Sequence, residues 1–530
     1  MDRHPQILFE QAKDGNATCQ MVLDGDWRYV YSKYEPAKIQ IRNIPSDSPL
    51  LLLGIGLGYE LQWLLENTDQ EILVVEKHRQ FISFIEQGPL SPLLKSPRVS
   101  YAFEEDYLLL PQEKREVVVG HTALFNYSYY QKARSALVLS EKAKVLLFEH
   151  PTIAKDCQSA LQTLGYEVVT TPHLSLEKLL QKTLEEGPDY LFTINVRSHP
   201  LKLGKKSGIQ YIAWNVDTPV YSVYSEEAKS SQVALFGYDR AETLALQEKG
   251  FANAHYLPVA APLQRLTNQT FSKEDRARYS ASISFVGSTC HDNEYNEYRF
   301  AERLSKETLE QIAALFEEQR RSIKPILFDR LTSPLVAAIE RELGTSFSSP
   351  YLDSRQKLTY LLGRKYTELE RKEMIQKVAT HFPTKVYGDD SWLSVQAPHL
   401  QYMGHAEHYH VMPKVFHLSD ININLTRAYV PSGLPMRVFD ILACQGFLLS
   451  NDREDLHRLF QPGKDLALFG HTEDLLAKID HYLTFANERL EMIQHSQETI
   501  RLHTFENRLQ EMMQKIKAPS LPGKRPSSVS

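Results

Sequence analysis

The stretch SGLPMRVFDILACQGFLLSN, Ser432 to Asn451, joins a polar turn, an apolar helix and an apolar strand. Proline favours the first helical position, serine can cap it and Gly446 can end it, so a helix starts between Ser432 and Pro435. The preceding DININLT alternates as a strand, which makes RAYVPSG its carboxyl-end loop. The helix N-terminus, with unpaired N–H groups and the positive end of the dipole, then suits a phosphate or diphosphate. Arg437 lies in the first turn, where a cation opposes the dipole unless both share an anion. Asp440, one turn on, is placed to accept hydrogen bonds from ribose hydroxyls, while Val438, Ile441 and Leu442 cover the sheet. The competing reading is an Arg437–Asp440 ion pair on a solvated face, worth roughly 0.2–0.5 kcal/mol.

Strands and helices alternate on both sides of this stretch. Upstream, ISFVG (Ile283 to Gly287), TKVYG, LQYMG and ININLT read as strands, and GFLLSN follows the helix. Residues 296–376 are patterned as helices and form an inserted helical subdomain. Ahead of them the polar APLQRLTNQTFSKEDRARYSAS suits a linker. Before it, KVLLFE, YEVVTT, DYLFTIN, IQYIAWNVD, VALFG and AHYLPVA form a second alternating series with helices such as LSLEKLLQKTLEE. This order predicts an α/β fold with two facing doubly wound units, which hold a ligand at the carboxyl ends of their parallel strands.

Residues 20–43 read as a hairpin with its turn at Asp24–Gly25. The DGD there weakly matches an Asp-x-Asp metal motif, but that motif belongs at the end of a parallel strand, and the turn is the better reading. LLLL, GIGLG, YELQWLLENT and EILVVE then form a βαβ unit. Gly54, Gly56, Gly58 and Glu76 make a second candidate nucleotide site, similar to an S-adenosylmethionine-dependent methyltransferase motif.

At 530 residues, about three domains are expected. Hydrophobic residues at 42% and charged residues at 24% suit a globular chain with several cores. A net charge of −6 disfavours general nucleic-acid binding, so anions must be met locally. Cys19, Cys157, Cys290 and Cys444 are too scattered for a disulfide framework or structural zinc site. No apolar run has the length of a membrane span and the N-terminus lacks a signal-peptide core, so the cytoplasm is the expected compartment. The domains expected are 1–135, 141–265 and 280–515, with a disordered tail at 517–530.

Other candidates sit in strand-end loops. Gly287, Gly388, Gly404 and His405 border the base, sugar or diphosphate, with Ser432 and Gly433 at the helix start. Gly287 is equally readable as a tight turn without ligand contact. Asp217 of WNVDTP and His199 of INVRSHP are the polar groups expected nearest an acceptor. Asp217 can orient a hydroxyl or act as a base, or it can cap the turn before Pro219. His199 can equally be an ordinary loop histidine.

ININLTRAYVPSGLPMRVFDILACQGFLLSNDREDLHRLFQPGKDLALF resembles the carboxy-terminal domain of the CgeB/YkvP-like glycosyltransferases of the GT-B fold. The resemblance extends through ISFVGS, KVYGDDSW, YMGHAEHYHVMPKVFHLSDI, YLFTINV and YIAWNVDTP, over about residues 141–515. YSKYEPAK, LLLLGIGLGYELQWLL and VVEKHRQFISFI are similar to the amino-terminal part of the Maf (motility accessory factor) flagellin glycosyltransferases, over about residues 20–105. That part is read as an accessory Rossmann-like domain or a retired nucleotide fold.

These resemblances imply a bacterial GT-B enzyme, retaining and metal-independent. It would take a nucleotide-diphosphate sugar, UDP-sugar favoured, with Asp440 on the ribose and Arg437 at the diphosphate. The acidic residue that commonly contacts the sugar in such enzymes is missing from VPSG. The acceptor implied is Ser/Thr of a protein such as flagellin, or a cell-surface glycan. The alternatives are a methyltransferase centred on GIGLG and a non-catalytic glycosylation adaptor. Donor sugar, base, acceptor, linkage and oligomeric state are not legible.

Overall fold

The computed structural model describes residues 7–23, 25–39, 41, 44, 47–266, 269–322 and 324–516. Asp24 of the expected turn and the expected tail at 517–530 lie outside them. The chain forms two compact units, one of Met1–Leu147, Tyr166–Leu191 and Lys202–Ile209, the other of Phe148–Gly165, Phe192–Leu201 and Gln210–Ser530.

In the first unit Leu8–Gln11, Ala17–Leu23 and Asp26–Tyr29 pair antiparallel, with Leu23 opposite Asp26. A parallel sheet follows in the order Val99–Phe103, Ile72–Glu76, Leu50–Leu53, Glu116–Val119. Its central strand Leu50–Leu53 is wholly buried, which is why it reads as an unbroken leucine run rather than an alternation. The helix Tyr59–Asn67 completes the expected βαβ unit.

The two longer series form six-stranded sheets. One has the order Ala254–Tyr256, Val233–Gly237, Gln210–Asn215, Tyr190–Ile194, Lys144–Phe148, Glu167–Thr171. The other runs Leu400–Tyr402, Thr384–Tyr387, Ala281–Val286, Ser419–Asn424, Leu448–Asn451, Ala467–Phe469 and is parallel throughout. This is the mixed α/β architecture with parallel, doubly wound sheets that was expected. The three-residue edge strand Ala467–Phe469 is too short to leave a periodic signal, and was not expected.

The expected linker is partly helical: Ser272 and Asp275 form a reciprocal capping box that starts a helix over Lys273–Tyr279. Between Ala281–Val286 and Thr384–Tyr387 come the expected helices, of which Ser354–His381 is the longest. Leu358, Leu361, Leu362 and Tyr366 join the apolar cluster of the inserted helices. Further along the same helix, Ile375 and Val378 join the core of the last sheet. Residues between those two segments are thereby carried across to the strand ends.

Candidate functional site

In the second unit, a cavity of 370 Å³ opens at the carboxyl ends of strands from both six-stranded sheets. Val216 and Asp217 follow Gln210–Asn215, Tyr238 follows Val233–Gly237, Gly287 and Ser288 follow Ala281–Val286, and Leu425 to Arg427 follow Ser419–Asn424. The helix of the opening stretch adds Met436, Arg437 and Asp440.

Three guanidinium groups line this space, those of Arg371, Arg427 and Arg437. Arg371 is buried and donates to the Ser288 carbonyl at 2.7 Å and the Leu425 carbonyl at 2.9 Å, tying two strand-end loops together. Its Nε has no partner, and neither has Nε of Arg437. Buried donors of this kind ask for an acceptor, and arginines grouped around them suit an anion. Burial, reinforced by Arg371, brings Arg437 down to about 10, still charged at neutral pH. A Cβ on Gly287 would stand 3.5 Å from Arg437 Nη1, so the glycine leaves the guanidinium open on that side.

Asp440 is 4% exposed. Burial lifts its carboxyl to about 7, against the opposing pull of Arg265 and Arg437. The solvated ion pair weighed for Arg437 and Asp440 is therefore not what forms: the acid is buried, and it lines the cavity beside the arginines. Val438, Ile441 and Leu442 are buried as expected.

The helix begins at Met436 with Pro435 as its N-cap and no side-chain cap, three residues later than a cap at Ser432 would place it. Ser432 is occupied elsewhere. Its N–H and that of Gly433 each donate to Asp239 Oδ2 at 2.8 Å, and its hydroxyl donates to Oδ1 at 3.0 Å. These N–H groups are satisfied by the protein's own carboxylate. At the other end, Gln445 takes the left-handed conformation expected of Gly446. Gly446 is instead a close-packing residue, since a Cβ there would meet the Phe416 carbonyl at 2.7 Å.

Of the remaining candidates, Asp217 lines the cavity and accepts from Asn195 Nδ2 at 2.8 Å. His199 lies on the exposed side of the helix Ser198–Ser207 and does not line it. Gly388, Gly404 and His405 do not line it either. A Cβ on Gly388 would meet the Gly287 carbonyl at 2.2 Å, so that glycine serves the contact between two strand ends. The neighbouring His408 takes the wall position, held neutral at about 4 by burial and by Arg265.

The glycine turn of the first unit is filled from within. A Cβ on Gly56 would fall 2.0 Å from the Tyr31 hydroxyl, and one on Gly54 2.5 Å from Thr122 Oγ1. Tyr31 accepts from the Leu57 N–H at 3.2 Å and donates to the buried Glu60 at 3.0 Å. Glu76 is fully buried and accepts from the N–H groups of Ile55 and His78 and from the Tyr130 hydroxyl. Gly54, Gly56, Gly58 and Glu76 are thus brought together, but the lone pairs and N–H groups that a nucleotide would use are engaged by the chain.

Sequence reasoning missed Arg371, Arg427, His408 and Asp239. Arg427 stands in the quoted RAYVPSG loop and could have been found there. Arg371 lies mid-helix among charged residues, and no local signal separates it from them.

Residues 364–514 match a family described as glycosyl transferase-like, a segment that includes Arg371, Arg427, Arg437 and Asp440. No curated protein matches the chain. Among solved structures, it is similar to a sucrose-phosphate synthase from Thermosynechococcus elongatus, at 10% identity and a TM-score of 0.43 over 70% of this chain and 98% of that one. HepE from Anabaena, solved with UDP and glucose, matches at 10% identity and a TM-score of 0.41 over 70% and 99%. The T4 phage enzyme BGT, solved with UDP-glucose, matches at 10% identity and a TM-score of 0.39 over 71% and 100%. Among the described residues no group of three or more His, Cys, Asp or Glu is placed to hold a metal ion, and no helix is long and apolar enough to cross a membrane.

Proposed function

We propose that the protein is a GT-B glycosyltransferase that moves a sugar from a nucleotide-diphosphate donor, UDP-sugars favoured, to an acceptor hydroxyl. The observation that carries this reading is the grouping of Arg371, Arg427 and Arg437 on one cavity at parallel-strand carboxyl ends, with two buried Nε donors unpartnered. The acceptor is Ser or Thr of a protein such as flagellin, or a surface glycan, and the compartment is the cytoplasm.

The acceptor oxygen forms a bond to the anomeric carbon while the carbon–oxygen bond to the diphosphate breaks, its electron pair leaving with the diphosphate. Charge grows on the departing group, and fixed cations beside it stabilise the transition state more than the ground state. Arg437 and the helix N-terminus at Met436 supply this, with Arg371 from the helix Ser354–His381 and Arg427 from the loop after Ser419–Asn424. Asp440 holds the ribose, and Asp217 orients the acceptor hydroxyl. The acceptor oxygen enters on the face from which the diphosphate leaves, so transfer proceeds with retention, and it needs no metal.

The test is a thermal-shift screen against UDP, GDP, CMP, their sugars and S-adenosylmethionine, repeated with Arg437→Ala. A ligand that binds only the folded state raises its melting temperature by mass action. A nucleotide-diphosphate shift that Arg437→Ala abolishes supports the reading. A shift with S-adenosylmethionine alone, indifferent to Arg437, would overturn it.

A further inference from the structure

The loop Arg427–Pro431 divides two cavities. Arg427 and Val430 line the anion cavity, whereas Ala428, Tyr429 and Pro431 line a second cavity of 720 Å³. Opposite the loop stand Ala241, Glu242 and Ala245 of the helix Arg240–Glu248, with Leu327, Phe328 and Tyr360 of the inserted helices. The volume lies in the ordinary range for a small-molecule site, and its lining is mainly apolar and aromatic.

Glu242 is the carboxylate on this wall. Its Oε2 accepts from Thr218 Oγ1 at 2.9 Å and its Oε1 from the Tyr224 hydroxyl at 3.3 Å. Thr218 adjoins Asp217, which lines the anion cavity, so one hydrogen bond links Glu242 to the chain at that cavity's wall. A carboxylate has about four lone-pair sites, which leaves capacity for a further donor. Burial and the nearby Asp239 lift Glu242 to about 7, where a carboxyl can both accept and release a proton near neutrality. Lys249, Lys324, Asp329 and Glu454 around the cavity are exposed, whereas Arg453 is buried and donates to the Asp452 carbonyl at 2.8 Å and the Thr426 carbonyl at 3.1 Å. The surface that faces the cavity is mostly apolar, which suits an apolar body better than a sugar ring whose hydroxyls are costly to bury against it.

We propose that this second cavity takes the acceptor, an alcohol or phenol on an apolar body, with its hydroxyl held by the Glu242 carboxylate. The inference rests on the glycosyl-transfer reading above and replaces its protein or glycan acceptor with a small apolar one. In the transfer, the acceptor oxygen bonds to the anomeric carbon, the diphosphate leaves with the electron pair of the broken bond, and the proton passes to Glu242 rather than to Asp217.

The probes are 2-naphthol and its ether 2-methoxynaphthalene, titrated by calorimetry into the full chain. Naphthol is expected to bind at least tenfold more tightly than the ether, Glu242→Leu to bring the two within twofold, and Ala245→Trp to weaken both at least tenfold. UDP titrated into the same samples reports folding, and Thr359→Trp, from the opposite wall, replaces Ala245→Trp if that variant does not fold. Equal binding of naphthol and ether to the native protein overturns the proposal, as does indifference to the filling variants or displacement of naphthol by methyl glucoside at equal concentration. With the donor found by the screen, mass spectrometry should detect the naphthyl glycoside, and binding without glycoside overturns the acceptor role. Absence of any nucleotide binding would instead refute the donor reading, while the naphthol titration stands or falls separately.

Discussion

Asp440→Asn separates what the protein gives up in stability from what it gains in binding. Raising the buried carboxyl from its ordinary 3.8 to about 7 means that the unfolded chain ionises before the folded one. Between those values the folded state binds more protons, so stability falls as pH rises, and the penalty is complete above about pH 7. At 1.36 kcal/mol per pH unit the full penalty is on the order of 4 kcal/mol, of which about half develops between pH 5 and pH 7. Asparagine carries no charge to desolvate. The variant should therefore be more stable than the native protein at pH 8, by about 2–3 kcal/mol more than at pH 5. Urea unfolding read through the buried Trp214 and Trp392, with Trp27 and Trp63 replaced by Phe, confines the measurement to the second unit. The same variant should bind UDP about tenfold to a hundredfold more weakly, because hydrogen bonds to a charged acceptor contribute roughly 1.5–3 kcal/mol. A stability gain that is the same at pH 5 and pH 8, or unchanged UDP affinity, would refute the reasoning.

Arg437→Ala should lower kcat by about 10²–10³ with the near-ultraviolet circular dichroism unchanged, as expected for a donor that acts at the departing charge; near-normal turnover removes it from the mechanism. Asp239→Ala strips the acceptor from the N–H groups of Ser432 and Gly433 and should cost about 3–5 kcal/mol in urea unfolding, whereas Asp239→Asn should cost less. Tyr31→Phe leaves the Leu57 N–H and Glu60 short of a partner and should destabilise the first unit by about 1–3 kcal/mol; calorimetry should find no S-adenosylmethionine binding to the native protein. Transfer should persist in excess chelator, and loss of activity restored by Mg²⁺ or Mn²⁺ would show that the arginines do not act alone.

Local pattern by itself was enough for the order of most strands in the two six-stranded sheets, though not for Leu8–Gln11, Val99–Phe103, Glu116–Val119, Ala467–Phe469 or the helix Lys273–Tyr279. Leu50–Leu53, Ile283–Val286 and Ile421–Asn424 are buried strands whose composition reports burial directly, and the turn residues between them mark where the chain reverses. Arg437 and Asp440 were legible because three residues of helix fix their spacing, and because a cation in a first turn is locally unfavourable. Arg371 was not, since its function depends on where a 28-residue helix passes the ends of strands some 80 residues before it and 50 after it along the chain. The same limit applied to Ser432 and Gly433: their N–H groups look like an anion site until Asp239, almost 200 residues away, is found bonded to them. It also applied to GIGLG, where glycines that admit a ligand and glycines that admit Tyr31 have the same spelling. Periodicity and turn chemistry act over a few residues and were readable in the chain alone. Which charge meets which anion, and whether a glycine faces a ligand or a side chain, was decided only when distant segments packed together.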